Sequence, residues 1–362
     1  MKPNIIQFLT YSATSSSMIF IPLFAKELGA SDFEIGVIGC VYGAAMFFSS
    51  YVFGRMSDVY GRKMFLLIGL FACAVSFPLQ ALAFSPLTLC MVRGVIGFSL
   101  GIYPAALVAY VYESKKRLGR FTGFGSLGWA VGNFVAGIIA VYWEIFMFGS
   151  VFFTVAFLIT LKMEMTKTRL KVSFFPVNVI KKNLPVYLSF FLRHTGAQAI
   201  WIIFPLYMVS LGASKFWVGI LYFINTFTQF LLMQKIDRFK SHDLIVTGLV
   251  LSAFTFLSFT LATNFYWLIP TQILLGFSWS CIYVGSLKFV MEENIEKATS
   301  SGLLNSTTSL SAIIGPVTGG ALSLCYGYKS TMYFASVLTV IGFFVFYFLS
   351  NTTVRTSSSI KT

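Results

Sequence analysis

Apolar residues fall into twelve runs of about 20 residues, separated by short polar stretches. A run of about 20 apolar residues is long enough for an α-helix to cross the hydrocarbon core of a bilayer. The pattern therefore predicts an all-α integral membrane protein with twelve transmembrane helices. The first run has no small-residue cleavage site and is predicted to be a retained helix. The runs lie near residues 4–27, 33–53, 64–84, 87–112, 120–142, 143–161, 184–210, 216–234, 243–263, 266–290, 300–324 and 329–350.

The second half of the chain repeats positions of the first half at a constant distance of 183 residues. The repeated positions include a proline-containing segment, the turn that follows it and a later pair of glycines. A repeat of half the chain, in a composition suited to lipid, indicates a duplicated transporter. The matching segments are Pro22-Leu23-Phe24 with Pro205-Leu206-Tyr207, Leu28-Gly29-Ala30-Ser31 with Leu211-Gly212-Ala213-Ser214, and Gly132 and Gly137 with Gly315 and Gly320.

This repeat divides the chain into two pseudo-symmetric bundles of six helices. The first bundle is predicted over residues 1–161 and the second over 184–350. Residues 162–183 carry several basic side chains and few long apolar stretches, so they are predicted to form a cytoplasmic linker. Residues 351–362 follow the last run and are predicted to form a cytoplasmic tail.

The placement of charge indicates how the chain lies in the membrane. Only 10% of the residues are charged, and the net charge is +14. Lys and Arg concentrate in alternate connections and at the termini, whereas only Lys26, Lys215 and Lys329 fall in the opposite set of connections. The positive-inside rule then predicts a multi-pass plasma-membrane protein with both termini in the cytoplasm. The basic charge is therefore explained by membrane topology and does not indicate nucleic-acid binding. The five cysteines are isolated from one another and imply no disulfide, no metal site and no cofactor.

The connection between the second and third runs reads Gly54-Arg55-Met56-Ser57-Asp58-Val59-Tyr60-Gly61-Arg62-Lys63. It resembles the hallmark loop of the major facilitator superfamily. The resemblance implies that Gly54, Asp58, Gly61 and Arg62 form a gate, with the acid facing the first turn of the eleventh helix, where the helix dipole favours an anion. The counterpart in the second half keeps Asp237 and Arg238 but lacks both glycines, which predicts a weaker contact. The alternative is a solvated basic turn that only fixes topology.

Polar residues inside four of the predicted helices are candidates for substrate binding. Arg193, His194 and Gln198 lie about one third of the way along the seventh run, at the depth of a polar strip in the first run. Substrate sites of duplicated transporters form at this depth between the repeats. The alternative for this group is a polar lock between helices. The remaining candidates are Tyr11 and Ser15 in that strip, Arg93 in the fourth run, and Gln272, which takes the place of Arg93 in the second half.

Arg93 lies in a segment that resembles the RxxxG element of the same superfamily. An arginine inside the membrane is costly, so we expect it to face a wet cavity or a partner. The alternative is a side chain that reaches the outer surface. No Asp or Glu lies at the centre of a run, which disfavours cationic solutes. Proton coupling would then use His194, Glu34 or Glu113, because a histidine titrates near neutral pH.

Two glycine-rich segments are predicted to pack helices closely. Gly315-Pro316-Val317-Thr318-Gly319-Gly320 resembles the Gly-Pro-x-x-Gly-Gly element in the fifth helix of antiporters of the superfamily. The fifth run here reads Gly132-Asn133-Phe134-Val135-Ala136-Gly137, in which Asn replaces the proline. Small residues let helices approach and rock. The alternative is tight packing without motion.

The resemblance covers the whole chain and implies a monomeric secondary transporter in which two bundles rock around a central site. Within the superfamily it is most similar to the drug and metabolite efflux group, so the prediction is proton-coupled efflux of a small drug-like or metabolite compound. The alternatives are uptake or facilitated transport of a neutral or anionic metabolite, such as a sugar or organic acid, and a non-transporting sensor or scaffold. An enzyme is disfavoured, since His194 and His242 are the only histidines and no central acid–base pair exists.

Overall fold

A computed structural model describes residues 1–114, 118–164, 177–294 and 297–359 of the 362-residue chain. Some side chains within these ranges lie outside the description, among them those of Asp58 and Asp237. Much of the predicted linker over 162–183 also lies outside it. The described residues are almost entirely helical, and no β-strand occurs among them. The predicted all-α fold is confirmed.

The first half consists of eight α-helices, several of which are consecutive parts of one membrane span. A 3-10 helix, Phe77–Leu82, extends α4, and α5 continues directly into α6. The helices are α1 Lys2–Met18, α2 Ile21–Glu27, α3 Asp32–Tyr60, α4 Arg62–Ser76, α5 Pro86–Ile102, α6 Pro104–Glu113, α7 Leu118–Ile139 and α8 Tyr142–Leu161.

Among the described residues one helix, Val177–Lys182, lies within the predicted linker, and the second half then repeats the arrangement of the first. Short 3-10 helices, Ile236–Arg238 and Phe265–Trp267, precede α13 and α14. The helices are α9 Val177–Lys182, α10 Leu184–Trp201, α11 Phe204–Ser210, α12 Lys215–Met233, α13 Ser241–Phe259, α14 Leu268–Glu293, α15 Lys297–Tyr326 and α16 Tyr328–Ser359.

Eleven segments of the described chain are long and apolar enough to cross a membrane. They match the predicted runs except for the run over 184–210, which the structure forms from α10 and α11. Arg193, His194 and Gln198 lower the mean hydropathy of this run, which is why it is not among the eleven apolar segments. Counted with it, the architecture is the predicted one of twelve membrane helices.

The first span of each half is broken at the same place. α1 gives way to α2 after Ile19 and Phe20, and α10 gives way to α11 after Ile202 and Ile203. A proline lies in the first turn of each following helix. Proline lacks a backbone N–H and its ring crowds the preceding turn, so a continuous helix is interrupted there. The repeated proline thus produces a repeated kink.

The repeated Leu-Gly-Ala-Ser segment forms the turn that ends each of these spans. Gly29 and Gly212 have φ angles of 89° and 90°, a region that favours glycine. Ser31 then caps α3 by accepting from the backbone N–H of Glu34 at 3.2 Å, and the Glu34 carboxylate accepts from the Ser31 N–H at 2.7 Å. Ser214 caps α12 by accepting from the backbone N–H of Trp217 at 3.4 Å. The glycine and the serine of the repeat are therefore explained by turn and capping geometry.

We call the surface at the turns around residues 28–31 and 211–214 the far side, and the opposite surface, where α1 begins and α3 ends, the termini side. Two seams join the halves: α3 packs against α15, and α7 packs against α12. Both seams rely on glycine. A Cβ added to Gly36 would lie 2.5 Å from the Pro316 carbonyl oxygen, and one added to Gly219 would lie 2.7 Å from Gly137 Cα. Since Gly36 and Gly219 are equivalent in the repeat, the two seams are built alike.

Candidate functional site

Arg193 lies inside the second half rather than between the halves. Its side chain is fully buried, and its Nε donates to Ser252 Oγ of α13 at 2.9 Å. The guanidinium carbon is 5.1 Å from the centre of the Phe256 ring and 5.2 Å from that of Trp279. Neither terminal nitrogen has a hydrogen-bond partner among the described residues. This geometry fits the polar lock between helices more closely than direct solute contact.

His194 belongs to an aromatic column formed by Phe190, His194, Trp279 and Tyr283. The His194 ring stacks on Phe190 with 5.4 Å between ring centres and on Trp279 with 5.2 Å. Trp279 stacks in turn on Tyr283 at 5.2 Å. The column arises because each helix supplies a pair of rings four residues apart, and such residues share one helix face. The sequence analysis missed Trp279 and Tyr283, although their spacing in the tenth run was a signal.

The column is completed by a polar neighbour on the same helix. Gln198 follows His194 by one turn, and its Nε2 lies 3.3 Å from His194 Nε2. The other ring nitrogen of His194, Nδ1, is buried and has no hydrogen-bond partner among the described residues. The structure therefore groups Arg193, His194 and Gln198 on α10, as predicted, but directs the arginine and the histidine toward different neighbours.

Tyr11 and Ser15 both contact α7 from α1. Tyr11 is half-buried, and its ring meets Trp129 edge-on with 6.3 Å between ring centres. The Ser15 hydroxyl donates to the Trp129 backbone carbonyl at 3.2 Å and lies against Gly132 of α7. Both side chains therefore lie at the α1–α7 contact.

Arg93 lies in the interior of the first half. It is 4% exposed, and it donates to Gln80 Oε1 at 3.2 Å. Its guanidinium carbon is 4.2 Å above the Tyr42 ring. Ser17 also donates to Gln80 Oε1, at 2.9 Å. These partners argue against a side chain that reaches the outer surface.

Gln272 occupies the equivalent place in the second half and is likewise buried. Its Oε1 accepts from Asn225 Nδ2 at 3.0 Å, while its Nε2 lacks a partner among the described residues. Arg93 and Gln272 are each bonded within their own half, and neither lies in the group around Arg193. The structure therefore places the predicted substrate residues in separate clusters of the two halves.

The predicted gate lies on the termini side, at the end of α3. Gly54 faces α6, where an added Cβ would lie 3.3 Å from Ala105 Cβ. Gly61 turns the chain with a φ of 109°, and Arg62 is 3% exposed at the start of α4. The side chains of Asp58 and Asp237 lie outside the described part. Arg238 is exposed.

Polar contacts join the two halves on the far side, and the sequence analysis did not predict them. Lys215 of α12 lies 3.1 Å from the Glu27 carboxylate of α2, which also accepts from the Tyr142 hydroxyl at 2.6 Å. Ser323 of α15 donates to Asp32 Oδ2 of α3 at 2.9 Å. We call these contacts the far-side latch. Together with the glycine seams, they hold this side closed.

Comparison with known proteins accounts for this architecture. A profile of the Major Facilitator Superfamily matches residues 4–177 and 186–362. The chain belongs to this superfamily. It is therefore a multi-pass membrane transporter and not an enzyme. The match leaves out only a few residues at the start of the chain and at the end of the linker.

Individual relatives cover almost the whole transporter. Multidrug resistance protein MdtG of Proteus mirabilis is 24% identical, with 91% of this chain and 90% of that protein aligned. Multi-drug resistance efflux pump PmrA of Streptococcus pneumoniae is 26% identical over the same shares. The crystal structure of the nucleoside transporter NupG superimposes with a TM-score of 0.76 at 16% identity, covering 96% of this chain and 97% of that one. This last similarity establishes the fold.

Proposed function

We propose that the transporter exports small uncharged or anionic aromatic compounds from the cell, as a monomer, by alternating access of its two halves. In this proposal both termini are cytoplasmic and export is coupled to proton entry. The observation that carries the proposal is the combination of two buried arginines without acidic partners among the described residues and an aromatic column beside the boundary between the halves.

The buried charges support the choice of substrate. Arg93 lies in one half and Arg193 in the other, and no described Asp or Glu forms an ion pair with either. Charges act over longer distances inside a protein than in water, because the effective dielectric constant is lower. A cationic solute between the halves would be repelled by both arginines. A neutral solute would not be repelled, and an anion would be attracted even without direct contact.

The aromatic column supports the preference for a planar solute. Stacked or edge-on aromatic pairs contribute about 0.5–1.5 kcal/mol beyond the burial of their surface. Tyr283 ends the column in the second half, and Tyr11 pairs with Trp129 in the first half, so in this proposal a flat ring between the halves meets aromatic groups from both. A site of this kind tolerates many ring systems, since every aromatic compound offers a face for stacking.

The direction of transport is proposed from the relatives and the mechanism from the seams. The two full-length relatives described above carry the names of a multidrug resistance protein and an efflux pump. Glycine pairs at both seams let the halves approach closely on the far side, and equivalent pairs in a pseudo-symmetric protein support rocking about a central axis.

Proton coupling is assigned to His194 in this proposal. It lies in the middle of α10, and its Nδ1 has no partner among the described residues, so it is available to exchange a proton when the passage is hydrated. Histidine changes charge near physiological pH. Export coupled to proton entry requires the proton and the solute to bind alternately, so in this proposal protonation of His194 accompanies release of the solute.

The proposal is tested by flux of three fluorescent aromatic dyes of similar size, one anionic, one neutral and one cationic, in liposomes that contain the purified protein. We expect the anionic and neutral dyes to move faster than the cationic dye. Arg193→Gln should remove the preference for the anion. Lys329→Gln serves as the matched control, because it removes one exposed positive charge on the far side. Faster flux of the cation, or an unchanged preference in Arg193→Gln, would refute the assigned substrate class.

A second candidate is uncoupled, facilitated passage of a neutral or anionic metabolite. It is favoured by the absence of any Asp or Glu from the centre of a membrane run, since proton relays are usually built from such groups. Imposing a pH gradient across the liposomes separates the two candidates. Coupled export requires dye accumulation that a proton ionophore abolishes, whereas facilitated passage gives only equilibration, with or without the gradient.

A further inference from the structure

One difference between the two seams is a buried residue near the middle of each. In the α3–α15 seam, Pro316 packs on Gly39, where an added Cβ would lie 2.8 Å from Pro316 Cβ. In the α7–α12 seam, the position equivalent to Pro316 by the 183-residue repeat is Asn133. One seam therefore contains an apolar ring at the point where the other contains a primary amide.

Asn133 is buried in its seam. Its side chain is 0% exposed, and its backbone carbonyl oxygen would lie 2.8 Å from a Cβ added to Gly219 of α12. Gly137, one turn away, contacts Gly219, and Ser126, two turns away in the other direction, donates to Met233 Sδ of α12 at 3.3 Å. Residues spaced by three or four along a helix share one face. Asn133 thus lies on the face of α7 that meets the opposite half.

The amide of Asn133 is left without hydrogen bonds. Neither Oδ1 nor Nδ2 has a partner among the described residues, and both atoms are buried. Buried polar groups are almost always paired, and an unpaired one requires an explanation. The two helices are held together on either side of the amide, by the Gly137–Gly219 contact and by the Ser126–Met233 contact.

We propose that Asn133 is a positioning residue for transport, whose unpaired amide destabilises the state closed on the far side and so permits that side to open. This role rests on the alternating access proposed above. When the far side opens, the α7–α12 seam separates and water can satisfy both amide groups. The penalty therefore exists only in the closed state. One unpaired buried group changes the ratio of two states by about 5- to 150-fold.

Pro316 gives the other seam no such bias. A proline side chain has no polar group to desolvate, so the α3–α15 seam is free of this penalty in the closed state. Without the amide, the glycine seams and the far-side latch would hold the far side shut. The replacement of the proline by Asn133 in one seam alone offsets this stability without weakening the contacts themselves.

The test measures the far-side distance directly by double electron–electron resonance. Spin labels at positions 84 and 261, in place of the exposed residues Phe84 and Leu261 near the far side of each half, report opening in lipid nanodiscs. The labels are introduced after replacement of the native cysteines. We expect Asn133→Leu to reduce the far-open population by about 5- to 150-fold, to raise the melting temperature and to slow transport. Asn133→Ala should act in the same direction, which guards against a failure of the larger side chain to fit.

Asn225→Leu is the matched control, because Asn225 is equally buried in α12 but its amide is paired within one half. It donates to Gln272 and accepts from Gln229. We expect this variant to lower the melting temperature and leave the far-open population unchanged.

The outcomes separate this role from the proposed function. Suppose that the wild-type protein shows two far-side distances and that their populations do not change in Asn133→Leu or Asn133→Ala. This result would refute the role of Asn133 and leave alternating access standing. A lower melting temperature in both Asn133 variants would also refute it, since it would mean that the amide stabilises the closed state. A single far-side distance in every variant and with every dye would refute alternating access and this role with it.

Discussion

Gly36→Ala tests the claim that the halves must touch on the far side. A Cβ at this position would lie 2.5 Å from the Pro316 carbonyl oxygen and 3.4 Å from Gly320 Cα, both in the opposite half. Ordinary van der Waals contact begins at 3.4 Å. The α3–α15 seam would therefore have to open by about 0.9 Å to move the Pro316 carbonyl oxygen from 2.5 Å to that contact distance. No atom of the first half is among the three nearest, so the clash acts only between halves.

The cost of such overpacking is about 1–3 kcal/mol, because a backbone carbonyl cannot move aside like a flexible side chain. A difference of this size shifts a two-state equilibrium by about 5- to 150-fold. The gain in helix propensity from Gly to Ala, about 1 kcal/mol, is present in both states and cancels from their ratio. We therefore expect Gly36→Ala to favour the far-open state by one to two orders of magnitude and to slow transport.

The assay is the far-side distance between labels at positions 84 and 261, measured together with dye flux. Gly123→Ala is the control, because an added Cβ there would lie 3.8 Å from Phe230, an ordinary contact across the other seam. It should leave the distance distribution unchanged. A Gly36→Ala protein that remains closed on the far side at wild-type levels would show that the seam yields without separating, and would refute this reasoning.

Three further changes are predicted from the latch, the gate and the column. Asp32→Asn removes the charge of the carboxylate that accepts from Ser323 in a largely buried contact. A hydrogen bond to a charged group contributes about 1.5–3 kcal/mol, so we expect the far-side distance to lengthen. An unchanged distance would contradict the latch. Asp58→Asn should slow dye flux while leaving insertion and folding intact, as judged by yield and gel filtration; unchanged flux would remove the predicted gate. Trp279→Ala should raise the dye concentration needed for half-maximal flux about 3- to 10-fold, because stacking with the dye is lost. A lower melting temperature with normal flux would instead show that the column stabilises the fold and does not bind the dye.

The repeat made the architecture predictable from the sequence. The proline that breaks α1 and α10, the glycine and serine that shape the turns after α2 and α11, and the seam glycines Gly36 and Gly219 recur at the same distance. Each has a local physical role, such as a missing donor, a positive φ or a missing side chain, and local roles can be assigned without knowing distant neighbours.

The partners of the buried polar groups could not be predicted in this way. Position along α10 gave the depth of Arg193 but not its direction, and the guanidinium turns toward Ser252 and Phe256 inside its own half. The far-side latch joins Asp32 to Ser323 across 291 residues. No local spacing encodes such a pair, because it depends on how the two halves are placed against each other.

Asn133 shows what sequence and structure contribute together. Its place in a glycine-rich element, where the antiporter element has proline, was visible in the sequence. The lack of any partner for its amide among the described residues required the structure.

The most direct test of the central claim is to measure both sides of the transporter in one preparation. Labels at positions 84 and 261 report the far side, and labels replacing the exposed residues Tyr60 and Phe239 report the termini side. Alternating access predicts that Gly36→Ala has a longer far-side distance and a shorter termini-side distance than the wild-type protein. If the termini-side distance stays fixed or lengthens as the far side opens, the two halves do not rock about a central site, and the account is contradicted.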